Sequence, residues 1–207
     1  MKHLRTACLL LVLSFAIASL AQGTGQSAPS TPAPQAQAAP QPAPTIASVV
    51  ERGVSTYEKL MVDAAEAMPE DKFNFTPESL NIKGSEFKTV RTFAQLIKHT
   101  ATANFRYWTA LTGEKFPENI KGSNGPDELK TKAEIIQFLK DSFAVGHRAA
   151  KTLTADNVVE MVAVGARGTQ PRLFLATGAV IHCGDEYGQM VEYLRMNGIV
   201  PTASVPH

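Results

Sequence analysis

Four stretches of the chain repeat apolar residues at intervals of three and four positions, the spacing that puts them on one face of an α-helix. We predict helices over residues 46–67, 92–112, 130–153 and 171–197. Thr131 and Glu134 have the spacing of an N-terminal capping box. Thr89 or Thr92 is suited to begin the second helix, and Gly198 to end the fourth. With no regular strand pattern, the sequence predicts an all-α protein, an up-down four-helix bundle.

The segments between the helices carry the residues that interrupt helices. Two prolines follow the first helix in "MPEDKFNFTPESL", and "GEKFPENIKGSNGPDE" after the second is rich in glycine, proline and asparagine. In the segment before the fourth helix, "VVEMVAV" is compatible with a short strand or an extended cover. The connections are thus predicted to be irregular, with this one segment as the exception.

The fourth helix carries two neighbouring stripes of side chains. The apolar stripe is predicted to face the core and consists of Leu173, Ala176, Val180, Cys183, Tyr187, Met190 and Leu194. The second stripe lies one residue back, about 100° round the helix, and consists of His182, Glu186, Gln189 and Tyr193. We expect this second stripe to face the open end of the bundle and Asp185 to point to solvent.

The second stripe has the spacing of a metal site. His182 and Glu186 are four residues apart, so both project from one helix face and can reach one ion. His99 on the second helix is the best candidate for a third ligand, with Asp185 and His147 in reserve. Two histidines and one carboxylate suit Zn, Ni or Fe(II) and leave coordination positions open. The same spacing is also common in a simple surface contact, and spacing alone does not choose between the two.

The N-terminal part has a different composition from the rest. Residues 1–21 have a basic start, a short apolar run and small residues before Gln22, the pattern of a cleaved secretory signal peptide. Residues 22–45 contain only small and polar residues, many of them proline, alanine and glutamine, which predicts a disordered linker. We therefore expect a folded domain over 46–204, a periplasmic or secreted location, and no stable membrane span after cleavage.

The charge balance excludes one class of partner. The chain has a net charge of +1, and removal of residues 1–21 would leave 18 basic and 19 acidic residues, a net charge of −1. Such a balance gives no electrostatic basis for binding nucleic acid. Cys183 would be the one cysteine left, so the domain would be held by its core or a metal rather than by an internal disulfide.

Three segments resemble the DinB-like superfamily of metal-binding four-helix bundles. They are "MPEDKFNFTP", "LIKHTATANFRYWTALTGE" and "HCGDEYGQMVEYLRMNGIVPTAS", and the resemblance extends over roughly residues 46–204. His182 matches the first histidine of the family's fourth-helix motif, Gly188 and Gln189 its small-polar pair, and "YLRMNGIVP" its tail. His99 matches the family's second-helix histidine. The resemblance implies a divalent metal at the bottom of a cavity, held by three histidines in typical members.

This sequence departs from the family pattern at one ligand position. Glu186 stands where the motif has its second fourth-helix histidine. A carboxylate still binds a divalent ion, and it makes the site harder than a set of imidazoles alone. The alternative is that the change marks a site that has lost its metal.

Two functional hypotheses of different classes follow. The first is an exported, metal-dependent hydrolase or transferase acting on an unknown small molecule. Some members of the superfamily resemble thiol-dependent transferases, which implies a transferase. An exported protein would lack the cytosolic thiol that such chemistry needs, which weakens the transferase interpretation and leaves metal-assisted hydrolysis or other Lewis-acid chemistry open. The second hypothesis is a non-catalytic bundle that binds a small ligand or a partner. A structural envelope protein is a third and less specific option, and a homodimer is an open expectation because exposed apolar faces of bundles often pair.

Overall fold

The computed structural model describes residues 42–205. Four helices dominate this part: α1 Ile46–Ala67, α2 Phe93–Thr112, α3 Lys132–Lys151 and α4 Arg172–Met196. The prediction of an all-α bundle is confirmed at the level of four helices, and their ends lie within two residues of the predicted bounds. The predicted signal peptide and residues 22–41 of the predicted linker lie outside the described residues.

Threonines set the starts of the first three helices. The side chains of Thr45, Thr92 and Thr131 each accept a hydrogen bond from the backbone N–H of the third helical residue, whose own side chain accepts one from the backbone N–H of the threonine. These reciprocal bonds satisfy amide groups that the first helical turn cannot pair internally. Gly113 ends α2 and Gly198 follows the end of α4, both with the positive φ that glycine adopts without a steric cost.

Short elements occupy the connections. Four 3₁₀ turns span Glu70–Lys72, Pro77–Leu80, Gly165–Arg167 and Thr202–Ser204. The strands β1 Met161–Ala163 and β2 Thr169–Pro171 pair antiparallel between α3 and α4. The segment interpreted from the sequence as a strand or extended cover therefore contains a strand. None of the helices in residues 42–205 is long and apolar enough to cross a membrane.

The helices do not alternate in direction along the chain. Asn104 of α2 bonds Ser142 of α3, and four residues further along both helices the Trp108 ring lies against Gly146. These paired contacts mean that α2 and α3 run the same way. The predicted up-down alternation is wrong here, because residues 113–131, at about 3.3 Å per residue, are long enough to run back along the whole of α2 at about 1.5 Å per residue.

Contacts with α1 and α4 give the remaining directions. The end of α3 meets the start of α1 through His147 and Glu51, so these two helices are antiparallel. Arg172 at the start of α4 bonds the carbonyl of Leu111 near the end of α2, so α4 is antiparallel to α2. The bundle therefore has α1 and α4 in one direction and α2 and α3 in the other. Each of α1 and α2 packs against both α3 and α4.

The core lies between the four helices and forms one hydrophobic cluster. Trp108, Phe93 and Phe143 are all nearly inaccessible to solvent, together with Met61, Met68, Leu139 and Met190. Cys183 is also buried, as predicted, and its thiol bonds the side-chain oxygen of Asn104 at 3.3 Å.

The buried face of α4 is rotated from the predicted one. Leu173 is 37% exposed and Val180 and Tyr187 are half-buried, whereas Leu175, Ala179 and Tyr193 are buried. The reason is that α4 packs between α1 and α2, so its buried face extends from the apolar stripe into the second stripe. Glu186 thereby becomes part of the bundle interior, although this stripe was expected to face an open end.

Candidate metal centre

His99 is held on α2 in one orientation. The residue lies on the second turn of the helix, next to the buried Lys98 and Thr100, with its side chain 18% exposed. Its Nδ1 lies 2.7 Å from the carbonyl oxygen of Ser123, in the connection between α2 and α3. Because a carbonyl only accepts hydrogen bonds, Nδ1 carries the proton. The lone pair of the neutral ring is therefore on Nε2, which points into the bundle.

The other two residues come from successive turns of α4. His182 and Glu186 are four residues apart and project from one face, the side-chain exposures being 23% and 4%. Between them, Gly184 allows α4 to approach α1, because a Cβ there would lie 2.7 Å from the hydroxyl oxygen of Tyr57. The close approach of these helices buries the turn that carries the two side chains.

Three potential ligand atoms meet between α2 and α4. The Nε2 atoms of His99 and His182 are 3.3 Å apart, and each lies 3.6 Å from Oε1 of Glu186. A circle through the three atoms has a radius of about 2.0 Å, which matches the bond lengths of about 2.0–2.2 Å that nitrogen and carboxylate ligands make with zinc. The arrangement is therefore already close to that of three ligands of one ion.

The surroundings keep the two imidazoles neutral. Burial is the main cause that lowers the pKa of His99 and of His182, and the positive charge of Arg91 lowers both further. The hydrogen bond that His99 donates to the carbonyl of Ser123 opposes this lowering for His99, and the charge of Asp185 opposes it for His182. A neutral imidazole is the form that binds a metal, so the site presents its nitrogens in the competent state.

Glu186 is a buried carboxyl group without full compensation. Burial raises its pKa to about 7, while Arg91 acts in the opposite direction and Asp185 in the same direction. Its Oε2 atom and Nδ1 of His182 are buried and have no hydrogen-bond partner among residues 42–205. An unpaired carboxylate in the interior is costly, and a divalent cation held by Oε1 would offset that cost. The residues present thus fit a bound metal ion.

The structure brings together three of the five predicted candidates. His99, His182 and Glu186 form the only group of this kind in the described part of the chain. Asp185 is exposed, as expected, and lies outside the group. His147, the other reserve ligand, also lies outside the group, between α1 and α3, and its ring nitrogens are each 2.7 Å from a carboxylate of α1.

Sequence reasoning missed several residues next to this centre. Arg91, Gln95, Asn124 and Gln189 line a cavity of about 550 Å³, together with Thr89 and Val90. Gln189 was already identified in the second stripe of the fourth helix, whereas Gln95 was missed although it lies one helical turn before His99. Loop residues such as Asn124 have no periodic signal. A larger cavity of about 680 Å³ lies by the other end of α2, and none of the three candidate ligands lines either cavity.

Comparisons with known proteins agree on one family. A family model described as the DinB superfamily matches residues 54–190. The chain is similar in structure to a DinB-like protein from Bacillus cereus ATCC 10987, with 14% identity, coverage of 76% of this chain and 95% of the other, and a TM-score of 0.56. It is also similar to the DinB-like protein YjoA from Bacillus subtilis, with 15% identity, coverage of 77% of this chain and 96% of the other, and a TM-score of 0.54. No curated protein matches the chain. At this identity the solved structures show a shared fold alone.

Proposed function

This chain belongs to the DinB superfamily, and from that premise we propose that it binds one divalent metal ion through His99, His182 and Glu186. The observation that carries the proposal is the convergence of three potential ligand atoms, separated by 3.3–3.6 Å, in a buried site. The hydrogen bond from Nδ1 of His99 to the carbonyl of Ser123 supports it, because metal-binding histidines generally donate a hydrogen bond from their other ring nitrogen to such an oxygen.

The donor set restricts which ions are suitable. Two imidazole nitrogens and one carboxylate oxygen suit Zn, Ni or Fe(II) rather than the harder Mg or Ca ions. Three protein ligands leave at least one position for water or a substrate, where a bound ion supplies Lewis-acid chemistry. The chain's own contribution is to hold the two rings neutral, to fix His99 through Ser123 and to limit access of water to Glu186.

We infer that this centre is the active site of an exported enzyme. The signal pattern of residues 1–21 supports a periplasmic or secreted location, away from the thiol cofactors of the cytosol. That location favours a metal-dependent hydrolase over a thiol-dependent transferase, with a small molecule as substrate. N-terminal sequencing of the exported protein tests the location, and the expected mature chain begins at Gln22. A chain that keeps residues 1–21 and stays in the cytosol would contradict it.

A second candidate is a non-catalytic bundle that has lost the metal. The specific observation in its favour is the 3.3 Å separation of the two Nε2 atoms, which is within reach of a hydrogen bond from one ring to the other. In that case a shared proton would join His182 to His99, and the cluster would be an internal polar contact of the bundle.

Metal content distinguishes the two candidates. The full chain is purified, supplied with Zn, Ni or Fe(II), freed from excess ion and analysed by mass spectrometry of the metal. The metal proposal expects one ion per chain. We expect the substitutions His182→Ala and Glu186→Gln to weaken binding by more than roughly 100-fold, since even partners of a ligand typically contribute 10- to 100-fold.

Two substitutions serve as matched controls. Asp185→Asn removes an exposed carboxylate beside Glu186, and His147→Gln removes a half-buried imidazole far along the bundle. Both should retain one ion per chain. If the native chain takes up no ion, or if all four variants retain it equally, the metal proposal is wrong and the non-catalytic bundle is favoured.

A further inference from the structure

Arg91 is anchored next to the metal centre with the end of its side chain uncommitted. Its Nε donates a hydrogen bond to Oδ1 of Asn124 at 3.0 Å, and its carbonyl accepts one from the hydroxyl group of Tyr193 at 2.9 Å. Within residues 42–205 its two terminal nitrogens form no ion pair and no hydrogen bond. Two parallel N–H donors of one guanidinium are the geometry that binds a carboxylate in a bidentate manner.

Two residues that line the cavity beside Arg91 lie one helical turn from candidate ligands. Gln95 lies four residues before His99 on α2, and Gln189 lies three residues after Glu186 on α4. The amides of Gln95, Gln189 and Asn124 are neutral donors and acceptors that can orient a polar ligand. The volume of about 550 Å³ is in the range of pockets that hold small molecules.

Backbone strain marks the rim of the same cavity. Thr89 has a φ of 68°, in the left-handed region that a β-branched residue rarely adopts. Such strain is unfavourable in itself and is found preferentially at functional sites. It coincides here with an uncommitted arginine and a polar cavity, and these three features together point to a binding site.

We propose that this cavity binds the carboxylate of a small-molecule substrate, with Arg91 as the residue that pairs with it and the rest of the substrate directed towards the metal centre. The proposal rests on the proposed function for its catalytic meaning, but the Arg91 contact does not require the ion. A carboxylate suits the site better than a phosphate dianion, because one guanidinium balances one negative charge and the other residues that line the cavity are uncharged.

The test is a titration calorimetry series on the full chain, both zinc-loaded and metal-free. The probes are glutarate, benzoate and acetate, with glutaramide as the uncharged analogue and inorganic phosphate as the competing anion. Arg91→Gln removes the charge, Arg91→Lys restores it without the bidentate geometry, and Arg195→Gln removes an exposed arginine elsewhere as the matched control. Zinc affinity and the unfolding transition are measured for every variant.

We expect at least one carboxylate to bind the native chain and Arg91→Gln to weaken that binding roughly 10- to 100-fold, the range for loss of hydrogen bonds to a charged group. Arg91→Lys should recover part of the loss and Arg195→Gln should match the native chain. Zinc affinity of Arg91→Gln should stay equal or rise, because a positive charge next to the ion is removed. A merely structural role for Arg91 would not produce weaker carboxylate binding together with partial recovery by lysine and an unreduced zinc affinity.

Each contrary outcome overturns a defined part. If no carboxylate binds either form, if Arg91→Gln binds as the native chain does, or if phosphate or glutaramide binds as tightly, the carboxylate site is wrong. If carboxylates bind the metal-free chain with the expected dependence on Arg91 while zinc does not bind at all, the carboxylate site stands and the metal centre is wrong.

Discussion

Gly146 lies on α3 where that helix packs against α2 and α1, and its replacement by alanine tests how tightly the bundle is packed. A Cβ at this position would lie 3.0 Å from Nε1 of Trp108 and 3.2 Å from Cγ1 of Val54. Both neighbours belong to side chains that are 1% exposed and have little room to move. Overpacking of this kind typically costs about 1–3 kcal/mol of unfolding free energy.

Alanine also has a favourable effect, which a second glycine isolates. Replacing glycine in a helix interior gains about 0.8–1.0 kcal/mol from helix propensity. Gly188 on α4 has no atom within 4 Å of the Cβ position, so Gly188→Ala should show that gain by itself. The predicted net effect of Gly146→Ala is a change between about zero and a loss of about 2 kcal/mol, from the propensity gain and the overpacking cost together.

The assay is denaturant unfolding followed by tryptophan fluorescence, in the presence of a metal chelator so that metal binding does not contribute. Trp108 is the chain's only tryptophan and is buried, so its emission reports on the core that Gly146→Ala disturbs. The quantity compared is the unfolding free energy of the two variants, which should differ by about 1–3 kcal/mol. If Gly146→Ala stabilises the protein as much as Gly188→Ala does, Trp108 and Val54 accommodate the added methyl group without cost, and the prediction of overpacking is wrong.

Three further predictions concern metal, pH and the buried thiol. An ion that binds only the folded chain should stabilise it by about 2.7 kcal/mol at a free concentration of 100 times its dissociation constant, measured as a chelator-sensitive shift of the unfolding midpoint. Burial alone would lower the pKa of His147, but hydrogen bonds to Glu58 and Glu51 raise it above 6.5. The stability that this contact contributes is therefore complete below pH 6.5 and is lost as the pH rises through the pKa of His147 in the folded chain. His147→Gln should flatten this pH dependence of the unfolding free energy, and an unchanged profile would contradict the prediction. Burial raises the pKa of Cys183 to about 12. In a Cys8→Ser chain, where Cys183 is the one thiol, a thiol reagent should react at least roughly 100-fold more slowly before denaturation than after. Similar rates would mean that the thiol is accessible in the folded chain.

The helices could be predicted because their signals are local. Thr131 and Glu134 interact across a single turn, and a spacing of three or four residues reports one helix face whatever lies opposite it. The same locality made it possible to propose His182 and Glu186 as a pair from the sequence. Whether they bind a metal is still a prediction.

The environment of that pair was not available from the sequence. Glu186 was expected at an open end, and it is instead 3% exposed, because α4 lies between two helices. The positions of Arg91 and Ser123 next to the centre come from loops, where no periodicity relates a residue to its neighbours in space. The direction of α3 relative to α2 depends on the path of residues 113–131, and that path too leaves no local signal.

The sequence alone was therefore sufficient to predict the number of helices, their bounds to within two residues, the family resemblance and five candidate ligands. Each of these depends on interactions within a few turns of one helix or on a motif along the chain. The tertiary structure decided that His99 meets the α4 pair at 3.3–3.6 Å, that Ser123 fixes its ring and that Arg91 faces the adjoining cavity. Those outcomes depend on contacts between residues far apart in the chain, which the packing of the four helices brings together.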